Sequence, residues 1–388
     1  MVFCLNRLVL TVKISEPKKE KGLKSYHDLR CKMKKSRMRR IRILGAGVSG
    51  LTAAINLAKE GYDVEVYERG KEVGTRFRGD LQGLDNWSDK RDIPEMLKSF
   101  GLDMNFDCDP FRRVEATNTK VSKGIIRERP LFYLVKRGPF RGSLDYGLKE
   151  QALKAGVKIF FGKSIAEADI VATGTMPEYV PGIVKGCVFK TNLEDQAVLA
   201  FSDDLAYKGY SYLLVTHGYG CLCTVVLNDL TRAEECFKRV KDYFESRFGL
   251  DLTTAKPVGG VGSFSLSHCF KKGKTLYVGE AAGLQDVFMG FGMKMAMRSG
   301  YLAARSIIEG FDYAKAAKKS LEKYMKASIV NRYIFEKISR RGNYSLFMAN
   351  TWLFKKLLYS SSNYSALQRL IYPLALSYMK AEYPTLWH

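Results

Sequence analysis

The chain has 388 residues, 46% hydrophobic and 12% aromatic, with a formal charge of +23. That length can bury a large core in two closely joined domains, and the composition excludes disordered and collagen-like classes. Residues 1–40 hold thirteen Lys and Arg against three acids. A basic surface suits anionic lipid or an acidic partner; no nucleic-acid module is legible, so no nucleic-acid partner is expected.

Residues 1–38 read as a basic, poorly ordered extension. Its apolar run, Leu8-Val9-Leu10, is too short for a signal or membrane helix. It reads either as chain upstream of a start at Met33 or Met38, or as a targeting or membrane-surface arm. Eight cysteines are scattered without zinc-site spacing, and only Cys221 and Cys223 are close. On a strand those two share a face, most simply as buried reduced thiols of a cytoplasmic protein.

From Arg39 the pattern sharpens. Arg40 to Leu44 reads as a strand, then Gly45-Ala46-Gly47-Val48-Ser49-Gly50 has the spacing G-x-G-x-x-G. Leu51, Ala54, Ile55 and Ala58 repeat at helical spacing, Gly61 stops the helix, and Val64 to Tyr67 alternates as a second strand ending at Glu68 and Arg69. In a dinucleotide site Gly45 makes the tight turn, Gly47 admits the pyrophosphate, and Gly50 lets helix and sheet approach. Amides at the helix start receive phosphate charge, and Glu68 accepts from ribose hydroxyls. This stretch alone leaves NAD and FAD both open. Arg76 in the following loop is a candidate for the phosphates or for stacking on adenine.

Further on, Pro94 to Leu102 reads as a short helix, Lys120 to Gly138 as antiparallel strands, and Ser143 to Gly156 as a helix. Strands at Val157 to Phe161 and Ala168 to Ala172 return to the first sheet; the turn Thr173-Gly174 lets the backbone pass close to the nucleotide. Gly186 to Asn228 is strand-rich and reads as an antiparallel wall for an apolar substrate. Thr231 to Glu234 has capping-box spacing ahead of a helix to Phe248.

The second decisive stretch is the strand Thr275 to Val278, then Gly279-Glu280-Ala281-Ala282-Gly283, then Gly290-Phe291-Gly292 opening a helix from Met293 to Glu309. Glu280 can accept from ribityl or ribose hydroxyls. The glycine loop aims a helix N-terminus at its neighbour, which for a flavin is the N1–C2=O edge. After Gly310 the chain is helical and amphipathic, with an apolar, aromatic run from Leu346 to Tyr359; it either packs on the core or lies on a membrane. Tyr210, Tyr212, Tyr219, His217 and His268 are the candidate pocket liners or proton donors, and no metal site is expected.

Together the two glycine stretches resemble the FAD-dependent oxidoreductases of the geranylgeranyl reductase type, within the hydroxybenzoate-hydroxylase-like flavoprotein group. The likeness runs from Arg39 to about Ile308, although Glu280 replaces an aspartate, Val287 stands where a proline is usual, and the Tyr210 strand lacks the family's Trp and Pro. It implies an α/β fold: a discontinuous Rossmann-like FAD-binding domain (39–80, 143–180 and 272–310), an antiparallel-sheet substrate domain (81–142 and 181–271) and C-terminal helices (311–388). It further implies FAD, reduction of an isoprenoid or lipid-like double bond, and NAD(P)H or a ferredoxin-type acidic protein as donor. An FAD monooxygenase and a non-catalytic prenyl-lipid binder are the alternatives.

Overall fold

A computed structural model describes residues 39–175, 180–263, 265–339 and 364–386. The basic extension and the apolar run Leu346 to Tyr359 lie outside the described residues. In chain order the principal elements are β1 (Arg40–Leu44), α1 (Val48–Lys59), β2 (Asp63–Glu68), β3 (Leu81–Asp85), α2 (Ile93–Ser99), β4 (Asp109–Phe111), β5 (Arg113–Thr117), β6 (Ser122–Ile126), β7 (Phe132–Lys136), α3 (Leu144–Lys154), β8 (Lys158–Phe161) and β9 (Ile170–Val171). There follow β10 (Gly182–Lys190), β11 (Gln196–Ala200), β12 (Tyr210–Thr216), β13 (Tyr219–Leu227), α4 (Ala233–Phe248), β14 (Lys256–Gly262), β15 (Lys271–Lys272), β16 (Thr275–Tyr277), α5 (Met293–Glu309), α6 (Tyr313–Ser339) and α7 (Ala366–Glu382).

The first sheet runs β15-β16-β9-β1-β2-β8 and is parallel except at β15. Ile41 and Ile43 of β1 are fully buried, as are Leu51, Ala54 and Ile55 of α1, as a parallel strand and its crossover helix require. Helices α1 and α5 pack with almost no separation, since a Cβ on Gly300 would collide with the Ser49 carbonyl; α1 lies as close to the turn after β1, where a Cβ on Gly50 would collide with the Gly45 carbonyl.

A second sheet runs β14-β10-β13-β12-β11-β5-β6. All its pairs are antiparallel except β11 with β5, a parallel step that the strand pattern did not reveal. Alternation sorts its side chains by face. Leu213, Val215 and Leu222 point to α4 and its Phe237, Val240 and Phe244. Leu214, Cys221 and Cys223 point the other way, into a cluster with Leu81, Phe132, Phe288 and Met289. A small sheet, β3-β7-β4, lies in the same cluster through Leu81, Phe111, Phe132 and Leu134.

The predicted capping box at Thr231 does not form. Leu230–Arg232 winds as a 3-10 turn, Thr231 Oγ1 donates to Asp229 at 2.6 Å, and Arg232 precedes α4 without a side-chain cap. A capping box does start α7, where Ser365 Oγ accepts from Gln368 N at 3.3 Å and Gln368 Oε1 accepts from Ser365 N at 2.9 Å.

Helices α6 and α7 are joined by a buried polar knot. Arg332 donates to Glu336 at 2.5 Å, and Tyr378 donates to Glu336 at 2.6 Å; the Tyr383 hydroxyl also donates to that carboxylate. Burial opposes ionisation of Glu336, but Arg332 and the two hydroxyls outweigh it and hold the carboxyl below its usual value. We predict that Arg332→Met, which leaves a buried carboxylate uncompensated, costs about 3–5 kcal/mol in urea unfolding. Because Glu336 is more acidic folded than unfolded, its contribution is complete above its ordinary carboxylate value and is lost as pH falls through the lowered one. Glu336→Gln is expected to flatten that acid limb of the stability curve.

Candidate functional site

The two glycine stretches, some two hundred residues apart in sequence, meet at Ser49. A Cβ on Gly279 would lie 2.7 Å from Ser49 Oγ, and Gly279 N donates to Ser299 of α5 at 2.9 Å. The junction works because each stretch ends a parallel strand: β1 and β16 flank β9, so the loops after all three emerge at one edge.

At that edge Gly45 takes φ 106°, a left-handed value, and an added Cβ would collide with the Ala172 carbonyl. Gly47 has extended geometry, φ −79° and ψ 179°, which any residue adopts. Its missing side chain therefore matters for space alone: an added Cβ would meet only Ala172 O, at 3.9 Å. Directly beyond, Val48 and Ser49 open α1, and no side chain caps it. The result is an open hollow over the positive end of a helix.

Glu68, at the end of β2, accepts from Ala46 N at 2.9 Å and from Gly70 N at 2.7 Å. It pins the glycine turn and keeps lone pairs for a ligand hydroxyl. Across the hollow, Arg76 donates to Thr175 Oγ1 at 2.9 Å and approaches Glu280 at 3.5 Å, while Thr175 donates to Glu280 at 2.7 Å. Gly174 places its backbone beside this group, 3.9 Å from Arg76 by its would-be Cβ. Arg69 follows Glu68 at the strand end and is exposed.

The Gly290–Gly292 loop closes the far end. Gly290 (φ 76°) has nothing within 4 Å of an added Cβ, and Gly292 starts α5 without a side-chain cap. Phe291 lies over Gly83 of β3, 2.7 Å from an added Cβ, and meets Trp87 edge-on at 4.8 Å. Gln285 donates to Gly290 O at 3.2 Å, but its Oε1 is buried with no partner. An orphaned acceptor, an open Gly290 and an uncapped helix fit a group that brings its own N–H and negative charge to this loop.

Tyr210 and Tyr212 sit on the face of β12 turned to this loop. Tyr210 donates to Met289 O at 2.6 Å, and burial pushes both phenols up, so they stay protonated. His217 lies elsewhere, on the exposed β12–β13 turn, with φ 48° and its ring on Asp109 at 3.1 Å. His268 is half-buried, its Nδ1 against Gly283; desolvation lowers it to about 4 and keeps it neutral. Cys221 and Cys223 are free thiols, Sγ to Sγ 3.7 Å.

Several residues here escaped sequence reasoning. Lys294, only 6% exposed, lies in the first turn of α5 and pairs with Asp85 at 2.6 Å; it also donates to Asp85 O at 3.0 Å and to Ser88. Arg298, one turn on, pairs with Asp89 at 2.5 Å. These two ion pairs clasp α5 to the segment after β3 and border a cavity of about 40 Å³, which Trp87, Phe291 and Asp286 also line. Burial raises Asp286 to about 6, although Met289 N donates to it at 2.7 Å. A cation in an otherwise apolar first helical turn was the available signal.

We predict that Glu68→Ala unpairs the Ala46 and Gly70 amides and costs about 1–3 kcal/mol. Faster hydrogen exchange at those two amides, with the core strands still protected, is the expected readout.

The family model for an NAD(P)-binding Rossmann-like domain matches residues 43–81. No curated protein matches the sequence. Among solved structures, a geranylgeranyl bacteriochlorophyll reductase-like protein from Thermoplasma acidophilum is similar at 17% identity and TM-score 0.63, over 89% of this chain and all of that one (100%). A flavin-dependent brominase is similar at 16% identity and TM-score 0.61, over 88% of this chain and 100% of that one. A variant of 2-methyl-3-hydroxypyridine-5-carboxylic acid oxygenase is similar at 17% identity and TM-score 0.55, over 86% and 98%. The chain therefore has a Rossmann-like domain, matched over residues 43–81, and shares its overall fold with these proteins.

Proposed function

We propose that the protein binds FAD and reduces double bonds of an isoprenoid or other lipid-like substrate. The observation that carries the FAD reading is the hollow at Gly47, where unstrained backbone leaves out a side chain above an uncapped helix N-terminus. In this reading the Val48 and Ser49 amides and Arg76 receive the pyrophosphate, Glu68 the ribose hydroxyls and Glu280 the ribityl chain. The Gly290–Gly292 loop and the start of α5 hold the negative charge at the ring edge. When bound, the flavin supplies the hydride chemistry, with NAD(P)H or a ferredoxin-type acidic protein as the source of electrons.

The protein's own part is orientation, dryness and proton supply. Tyr210 holds the loop through Met289 O, and the apolar face with Leu214, Phe132 and Phe288 excludes water beside it. Asp286, raised to about 6 by burial, is the carboxyl in the cavity able to hold a proton near neutrality. An acid in that role makes turnover fall as pH rises through about 6, and Asp286→Asn is expected to remove that inflection.

The clean test of the cofactor is Gly47→Ala. Since φ and the 3.9 Å clearance of a Cβ both accept alanine, the unfolding midpoint should hold while FAD affinity falls by about a hundredfold, about 3 kcal/mol. Equal FAD binding by variant and parent would sink the reading. For the reaction, anaerobic reoxidation of the reduced protein by polyprenyl lipids is the expected result. The likeness to an oxygenase supports a second reading, an FAD monooxygenase; consumption of NAD(P)H only with oxygen and a hydroxylated product would favour it. A protein that stays colourless after addition of FAD would favour a lipid binder.

A further inference from the structure

Among the described residues helix α7 buries one side and leaves the other exposed. Gln368, Ala375 and Met379 are buried, with Gln368 donating to Asn331 at 3.0 Å and Tyr378 reaching Glu336 of α6. On the opposite side Leu367, Leu370 and Leu374 are 54%, 78% and 60% exposed. At about 100° per residue these three leucines fall within roughly 60° of one another, and Ala366, Pro373, Ser377 and Ala381 share the exposed arc. Isolated exposed leucines are ordinary, but three in one stripe with no charge among them are not.

The borders of the stripe carry the argument about its occupant. Arg369 and Lys380 follow one edge. At the other edge stands Tyr378, with the Lys337 ammonium 4.5 Å from its ring centre. The only acid of α7, Glu382, is turned away and pairs with Lys208. Farther along α6, Lys315, Lys318, Lys319 and Lys323 are exposed as well. A second copy of the chain meeting this face on a two-fold axis would set these cationic borders against themselves. An anionic lipid surface has the complementary charge, takes leucines into its acyl boundary, and suits tyrosines and long cationic side chains at the headgroups. No helix among the described residues is long and apolar enough to cross a membrane, so such a contact would lie along the surface.

We propose that α7 docks its Leu367, Leu370 and Leu374 face on an anionic lipid surface. This rests on the helix and its borders and is independent of the flavin reading.

The test uses the full chain and sucrose-loaded phosphatidylcholine vesicles with or without phosphatidylglycerol. The wild type is expected to sediment with the anionic vesicles only, and L370E/L374E to lose at least about tenfold in partitioning. Because both leucines are exposed, the variant should keep its unfolding midpoint; the milder L370S should lose part of the binding. The basic segment 1–40 offers a rival route to the same lipid, so a local reporter is included. The emission that L370W adds to that of the three native tryptophans should shift to the blue on anionic vesicles and be quenched by spin-labelled acyl chains. No binding by the wild type, undiminished binding by L370E/L374E, or an unshifted indole would each overturn the proposal. So would a lipid-free dimer, seen by light scattering, that L370E/L374E dissolves, since it would assign the face to a second copy.

Discussion

The architecture depends on a contact with no room for side chains, the crossing of α1 and α5 at Ser49. A Cβ on Gly300 would strike the Ser49 carbonyl, and one on Gly279 would press on its hydroxyl. Glycine at both places lets a helix more than two hundred residues further along the chain lie directly against the first helix after the extension. Dispersion and apolar burial over that crossing then stabilise a sheet assembled from three distant stretches. This approach also sets the start of the Gly279 loop against Ser49, at the sheet edge that carries the glycine turn.

Charge is organised by burial. Several of the most deeply buried cations have matched carboxylates: Arg137 with Asp145 at 2.8 Å through two parallel bonds, Lys294 with Asp85, Arg332 with Glu336. Buried pairs of this kind do more to fix geometry than to raise stability, because desolvation offsets most of the attraction. They stand where distant segments must meet in one register: the strand end before α3, the first turn of α5, and the α6–α7 contact. Among the described residues many other cations, such as Lys315, Lys318, Lys319 and Lys323, are exposed, where they shape what the surface attracts.

Local order was largely legible in the sequence. The bounds of α5 and the strand–turn–helix of the first motif follow from short-range rules, glycine where φ is positive and apolar residues at the period of the element. The capping box at Thr231 was misleading for the same reason that such signals are weak: a neighbouring acid, Asp229, competed for the hydroxyl. The parallel pairing of β5 with β11 was illegible, since alternation tells which face a side chain takes but not which strand lies alongside.

The candidate site divides along the same line. By itself the sequence determined that Gly45 to Glu68 could form a phosphate-receiving turn and that Gly279 to Gly292 could form a second loop before a helix. Those properties belong to backbone conformations and to spacing within one element. Only the tertiary structure decided that the two share an edge, that Gly47 faces open space, that Gln285 keeps an unpartnered oxygen there, and that His217 stands on an outer turn while Tyr210 meets Met289. Such relations join residues up to hundreds of positions apart. They are set by packing and desolvation of the folded whole, which no local pattern encodes.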